Sequence, residues 1–265
     1  MMTNDSLMVV CGGGAYRMIE ESTLDLPIQT IFLKHDAGHV DKEEDTIMVS
    51  DMGTIGETIE TIDSMMEDMR VVVILSVLGG TSSNVISSVR DRARRHGSKV
   101  VVILGLPMKF EHERRKLADE CLKPLVDKAD KAFIVDIETI NVYDEDVMFK
   151  DVLQYNAYVL MYAVNVLTSF LSGPFFSTFP EKAYTISFSA GLNPKGTVKH
   201  AVLSSMFQRR SDNDQAIIMV GSSTGPDFLF NLTSELIAET GMLPDVVKRG
   251  DQDSSFVLFF FPIII

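Results

Sequence analysis

Two unbroken apolar runs, VVVILSVL (71–78) and VVVILGL (100–106), restrict the folds open to this chain more than any other feature. A strand with one wet face alternates apolar and polar side chains, whereas a strand apolar at every position must be covered on both faces. Each run stops at a breaker, Gly79-Gly80 in one case and Pro107 in the other, and a helical pattern follows each. These helices are predicted over about 83–96, ending at the C-capping Gly97, and over 111–128. LMVV (7–10), TIFL (30–33) and AFIVDI (132–137) repeat the strand pattern. TIGETIETIDSMMEDM (54–69) sets Ile55, Ile59, Ile62, Met65, Met66 and Met69 at helical spacing. Repeated strand–helix units of this kind give an α/β fold with a parallel sheet. Its connections are right-handed, and its ligand sits at the carboxyl ends of the strands.

From Val152 to Pro180 there is no charged side chain, a length that invites comparison with a membrane span. Gln154, Asn156, Asn165, Ser169, Ser172, Gly173 and Pro174 interrupt it, and basic residues favour neither flank. The segment therefore reads as a long core helix, about 148–172, followed by a loop. Beyond residue 175 the texture changes: KAYTISFSAG, QAIIMVGSS and SSFVLFFFPIII read as strands, with helices near 196–207 and 226–241. This divides the 265 residues into a parallel-sheet α/β domain over 1–172, including the long helix, and a smaller α+β domain over 173–265.

Charge excludes one class of partner. With 24 Lys+Arg against 37 Asp+Glu the net charge is -13, which repels phosphate backbones and argues against nucleic acid. Arg90, Arg92, Arg94 and Arg95 lie on a predicted helix as a solvated face. Cys11 and Cys121 cannot build a disulfide framework and have no partner at metal-ligand spacing, which suits a reducing cytosol. The opening MMTNDSLMVV lacks the basic region and cleavage site of a secretory signal.

Two glycine turns follow buried strands, Gly12-Gly13-Gly14 and Gly79-Gly80-Thr81-Ser82. Glycine lets backbone amides approach a phosphate, and the following helix N-terminus adds partial positive charge. A tight strand-to-helix turn calls for the same residues. The first turn lacks the GxGxxG spacing, although Asp36 falls where a ribose-binding acid would sit, so a Rossmann-type enzyme stays open. There is no Walker A motif. Gly221-Ser222-Ser223-Thr224-Gly225 matches a nucleophile elbow, but no histidine follows it in the chain and ordinary loop chemistry is the better reading. His35 and His39 would face one metal only on a helix, and Gly38 argues for a loop.

Taken in order, these features resemble the FtsZ branch of the FtsZ/tubulin superfamily. Leu78-Gly79-Gly80-Thr81-Ser82-Ser83-Asn84 is similar to the family's GGGTGTG phosphate loop. GLPMKFEHERR (105–115) is similar to its KPFxFEGxxR segment, with Pro107, Phe110, Glu111 and Arg115 in place, and VLMYAV (159–164) to VLxxAV in its central helix. The resemblance implies a tubulin/FtsZ-like fold: a parallel-sheet nucleotide-binding domain, a long central helix and a smaller α+β C-terminal domain. It also implies a cytoskeletal assembly protein that binds GTP or GDP. Gly12, Gly13, Gly14, Gly79, Gly80, Thr81 and Ser82 would then face phosphates, Glu111 and Arg115 the ribose, and Asn156 the base.

The hydrolytic parts depart from the family. There, acidic residues of an N-x-D-x-x-D loop act on the nucleotide of the next subunit; here Ser177-Thr178-Phe179-Pro180-Glu181-Lys182 places a Phe and a Lys where the aspartates belong. SDMGTIGET (50–58) keeps only Gly53 and Gly56 of the γ-phosphate loop. The implied protein assembles with itself or with an FtsZ-like relative, in the cytoplasm or at a membrane, in division or membrane remodelling. Its hydrolysis is weak or absent, unless Glu181 supplies the missing acid.

Overall fold

A computed structural model describes residues 5–20, 22, 26–35, 46–49, 62–80, 82–136, 149–171, 174–190, 193–203, 205–206, 215–249 and 256–265. In chain order the elements are β1 (Ser6–Cys11), α1 (Gly13–Glu20), β2 (Gln29–His35), β3 (Thr46–Val49), α2 (62–66), β4 (Val71–Val77), α3 (Ser82–Arg95), β5 (Lys99–Leu106) and α4 (His112–Asp127). They continue with β6 (Lys131–Asp136), α5 (Phe149–Phe170), α6 (Phe175–Thr178), β7 (Ala183–Ala190), α7 (Pro194–Leu203), β8 (Gln215–Gly221), α8 (Pro226–Thr240), β9 (Leu243–Arg249) and β10 (Phe256–Pro262).

All ten strands share one sheet, in the order β3-β2-β1-β4-β5-β6-β7-β10-β8-β9. Only β10 runs against its neighbours β7 and β8. The two apolar runs become the adjacent central strands β4 and β5, paired in register from Val71↔Lys99 to Val77↔Gly105. Val71, Val72, Val73, Ile74 and Leu75 are all buried, each contributing about 1.5–3 kcal/mol relative to an exposed side chain. Alternate residues feed opposite faces. On one face Val71, Val73 and Leu75 pack with α1 and with Val159, Leu160, Ala163 and Leu167 of α5. On the other, Val72 and Ile74 pack with Ile62 and Met66 of α2, Ile86 and Val89 of α3, and Leu122 of α4.

The uncharged segment from 152 is thus a core helix, and among the described residues no helix is long and apolar enough to cross a membrane. Ends fall close to expectation. Gly97 (φ +82°) terminates α3 while Ser98 N–H donates back to the Ala93 carbonyl at 3.0 Å, and Gly241 (φ +74°) closes α8. The short β3 and the edge strand β9 were not legible in the sequence. β9 has the pattern LPDVVKR, whose Pro and three charges suit an edge and hide the strand signal. Of the predicted helix 54–69, residues 62–69 lie within the described residues, and 62–66 of them are helical.

Cys11 is completely buried at the end of β1, and burial pushes its thiol up to about 12; Cys121 on α4 is half-buried. Titration with a thiol reagent at neutral pH should find one thiol, removed by Cys121→Ser, with the second appearing only on unfolding. Two thiols reacting in the native protein would contradict this core.

Candidate functional site

The two glycine turns lie side by side at the carboxyl edge of the sheet. β1 pairs with β4 so that Cys11 stands opposite Ser76, and the buried Ser76 Oγ donates to the Cys11 carbonyl at 2.8 Å. Each turn delivers a helix, α1 beginning at Gly13 and α3 at Ser82. Neither helix carries an acidic residue in its first turn, so no first-turn carboxylate offsets its positive end. α4 and α8 differ, with Glu113 and Asp227 in theirs.

The glycines divide into two kinds. Gly12 (φ +93°) and Gly79 (φ +92°) hold left-handed backbone that disfavours side chains. At Gly79 a Cβ would also lie 2.4 Å from the Arg114 carbonyl oxygen. These two are required by the turns themselves. At Gly14 a Cβ would touch Val77 at 3.4 Å, a tight fit. Gly13 and Gly80 have ordinary φ, and a Cβ on either would meet nothing within 4 Å. Neither backbone conformation nor packing within the protein calls for glycine there. The space at both Cβ positions is open, which suits a ligand approaching the backbone.

Glu111 and Arg115 stand beside this edge, at the entrance to α4. Arg115 forms a bidentate pair with Asp136, the last residue of β6, Nη1 to Oδ1 and Nη2 to Oδ2 both at 2.9 Å. The side chains are only 15 % and 5 % exposed. Nη1 also donates to the Pro107 carbonyl at 3.0 Å, and Nε lies 3.3 Å from Asp119 Oδ1. The hydrogen bonds to Asp136 hold the guanidinium above its ordinary pKa, against the opposing effect of burial. Glu111 accepts from Met108 N–H at 3.2 Å and pairs with Arg114. Both side chains therefore hold the β5–α4 turn in place. An open depression of about 600 Å³ lies along this part of α4, lined by Lys109, His112, Arg115, Lys116, Asp119 and Glu120. Sequence reasoning missed Asp136. The signal was an acid closing an otherwise apolar strand, at the edge where ligands bind.

Thr81 lies outside the described residues, as do the side chains of Ser82 and Asn156, although Ser82 opens α3 and Asn156 lies within α5. Asp36, His39 and residues 50–58 are also outside them, and His35 ends β2. Tyr158 faces β7 and β10, its ring 6.3 Å from that of Phe188 and 6.1 Å from that of Phe256. Gly221–Gly225 is a turn in which Thr224 N–H donates to the Gly221 carbonyl at 3.1 Å, leading into Pro226 at the start of α8.

The loop after α5 lies at the opposite, amino-terminal edge of the sheet. Phe179 is fully buried, 4.9 Å from the Phe133 ring and 5.0 Å from the Phe260 ring. Lys131 Nζ donates to the Pro180 and Glu181 carbonyls at 3.0 and 2.8 Å, and burial lowers its pKa. Glu181 N–H donates to Tyr184 Oη at 2.9 Å, while Lys182 Nζ donates to the Asp127 carbonyl at 2.5 Å. The segment is thus anchored in the core by the Phe179 side chain.

Comparison with solved structures matches this architecture over nearly its whole length. An FtsZ dimer from M. jannaschii aligns with a TM-score of 0.72 at 17 % identity, covering 97 % of this chain and 88 % of that one. The fold is that of FtsZ and tubulin. CetZ2 from Haloferax volcanii, solved as a GTPγS-bound protofilament, aligns with a TM-score of 0.67 at 12 % identity, covering 97 % and 92 %. TubZ from Bacillus thuringiensis serovar israelensis, solved as GDP-form protofilaments, gives 0.68 at 10 % identity, covering 98 % and 87 %. No family model and no curated protein matches the sequence.

Proposed function

We propose that this chain is a cytoskeletal assembly subunit of the FtsZ/tubulin kind. It binds GTP or GDP at the paired glycine turns, hydrolyses it weakly or not at all, and associates with itself or with an FtsZ-like relative in the cytoplasm or at a membrane. Division or membrane remodelling is the process such a subunit would serve. Residues 1–172 form its nucleotide-binding part, including the central helix, and 173–265 its α+β part. The observation that carries this reading is the pair of unobstructed glycines, Gly13 and Gly80, beside two helix N-termini that lack acids of their own. The nucleotide-bound protofilaments of CetZ2 and TubZ, which share the fold, support it.

Phosphates would lie over the amides of 12–14 and 79–82, with Thr81 and Ser82 hydroxyls supplementing them. Glu111 and Arg115 would shape the ribose side and Asn156 the base side. Weak hydrolysis rests on the loop after α5, where Phe179 is locked in the core and Lys182 is tied to the Asp127 carbonyl. With no acid at either position, a water at a neighbour's nucleotide would lack an orienting base, and such losses cost orders of magnitude in rate.

Melting the protein with GTP, GDP, ATP and NAD tests the reading. GTP and GDP are expected to stabilise by about 2.7 kcal/mol at a hundredfold excess over the dissociation constant. Stabilisation by NAD alone would instead favour a Rossmann-type enzyme, and no shift with any nucleotide would leave a purely structural subunit. Phosphate release is expected to stay at background in the parent and in Glu181→Ala alike. Release above background, lost in that variant, would make Glu181 a working acid.

A further inference from the structure

We infer that the outer edge of β9 is a lateral interface for a second copy of this chain, formed by antiparallel pairing of β9 with β9 about a twofold axis. The inference is independent of nucleotide binding. β9 ends the sheet, and the direction of its free backbone groups follows from one hydrogen bond. The Arg249 carbonyl accepts from Ser222 N–H at 2.7 Å, so Arg249 and, by alternation, Val247 and Asp245 turn their backbone groups towards β8. Pro244, Val246 and Lys248 turn theirs outward.

Edge strands are commonly guarded by Lys and Pro standing over the open side. Here Lys248 remains exposed but its Nζ reaches back to the Thr224 carbonyl at 3.2 Å. Arg249 lies over the Phe170 ring at 5.0 Å and donates to Ser169 Oγ at 2.9 Å, which keeps its charge on the sheet face that it shares with Asp245. Pro244 lacks an N–H at the outer edge and limits the pairing at that end. The edge exposes Asp245 and Lys248 beside apolar side chains: Leu243 is 67 % exposed, and on the neighbouring α8 Phe230 is 72 % exposed. On the outward side of α8, Phe230 and Ile237 are exposed together with Ser234 and Ala238, and Asp227 adds an acid at the helix start.

Charge selects the register. With the axis between the two Val247 residues, Val246 exchanges both backbone hydrogen bonds with Lys248 of the second copy. Asp245 then stands opposite Arg249 of that copy, twice per dimer. These two residues lie on the same face of the sheet, as directly opposed residues must. The other face brings the two α8 helices, with their exposed Phe230 and Ile237, to flank the axis. A second copy fits better than an unrelated peptide, because this strand is complementary to itself, acidic near its start and basic at its end.

Sedimentation without nucleotide provides the test. The parent is expected to dimerise. Asp245→Arg sets Arg against Arg across the axis and Arg249→Asp sets Asp against Asp, so each alone should dimerise at least tenfold more weakly. Mixed together, the two variants are complementary at both contacts and should recover the parent's association, which a folding defect could not do. Val247→Cys should form a disulfide dimer on oxidation, since the opposed Cα atoms of such a pair lie ~4.5 Å apart; Val246→Cys should not. A parent that stays monomeric, variants that dimerise like the parent, or a mixture that fails to recover would each overturn the interface.

Discussion

Replacing Gly13 or Gly80 with alanine is expected to leave the protein as stable as the parent while removing most of its stabilisation by GTP and GDP. Both positions have ordinary φ and open space where the Cβ would go. Such substitutions stabilise by about 0.4–1 kcal/mol, through the lost freedom of the unfolded chain. The methyl group would instead occupy the approach to the backbone amides. Hydrogen bonds to a charged group are worth about 1.5–3 kcal/mol each, so obstructing even one should weaken nucleotide binding at least tenfold. Gly79→Ala makes the contrast. Its Cβ would collide with the Arg114 carbonyl at 2.4 Å on a backbone of φ +92°, and left-handed backbone alone costs about 1–2 kcal/mol for a side chain. That variant should melt at least several degrees lower, whatever ligand is present. Melting curves of the three variants with and without GDP separate the two kinds of glycine. Full nucleotide stabilisation in Gly13→Ala and Gly80→Ala would remove the glycine turns as the phosphate site.

That division among glycines marks the boundary of what the sequence could say. VVVILSVL and VVVILGL announced a doubly covered sheet because an apolar strand has no alternative, and both became central strands within a residue or two of expectation. Gly97 was placed by local rules of helix termination. The sequence could mark Gly12 to Gly14 and Gly79-Gly80 as turns. Which of them serve the chain and which leave room for something else depends on a neighbour about 30 residues away, Arg114, and on the φ that each adopts. The single sheet from β3 to β9 was equally hidden. Its continuity depends on the pairing of Ala132, Phe133 and Ile134 with Ala183, Tyr184 and Thr185, which no local pattern encodes. The loop after α5 was legible in part: the lack of the acids that the resemblance leads one to expect could be read directly, but not the burial of Phe179 in the core.

Arg115 shows where a family pattern and a geometry assign one residue two tasks. The resemblance places it at the ribose; the structure gives its guanidinium to Asp136, the Pro107 carbonyl and Asp119. If Arg115 acts on the site by holding the β5–α4 turn, Asp136 is its equal partner. Removing one member of a buried pair costs about 3–5 kcal/mol, because the other charge is left uncompensated. Asp136→Ala and Arg115→Ala should therefore each lower Tm by roughly 6–20 °C for a chain of this size. The double variant should lose much less than the sum, because the two changes delete one interaction. Arg115→Lys should recover little, since an ammonium cannot match the two carboxylate oxygens and the Pro107 carbonyl together. Ligand response then separates the tasks. A clamp predicts that Asp136→Ala weakens GDP binding as much as Arg115→Ala does, since either change frees the turn. A direct ribose contact predicts a loss in Arg115→Ala alone, with Asp136→Ala binding GDP as well as the parent once both are measured well below their melting temperatures.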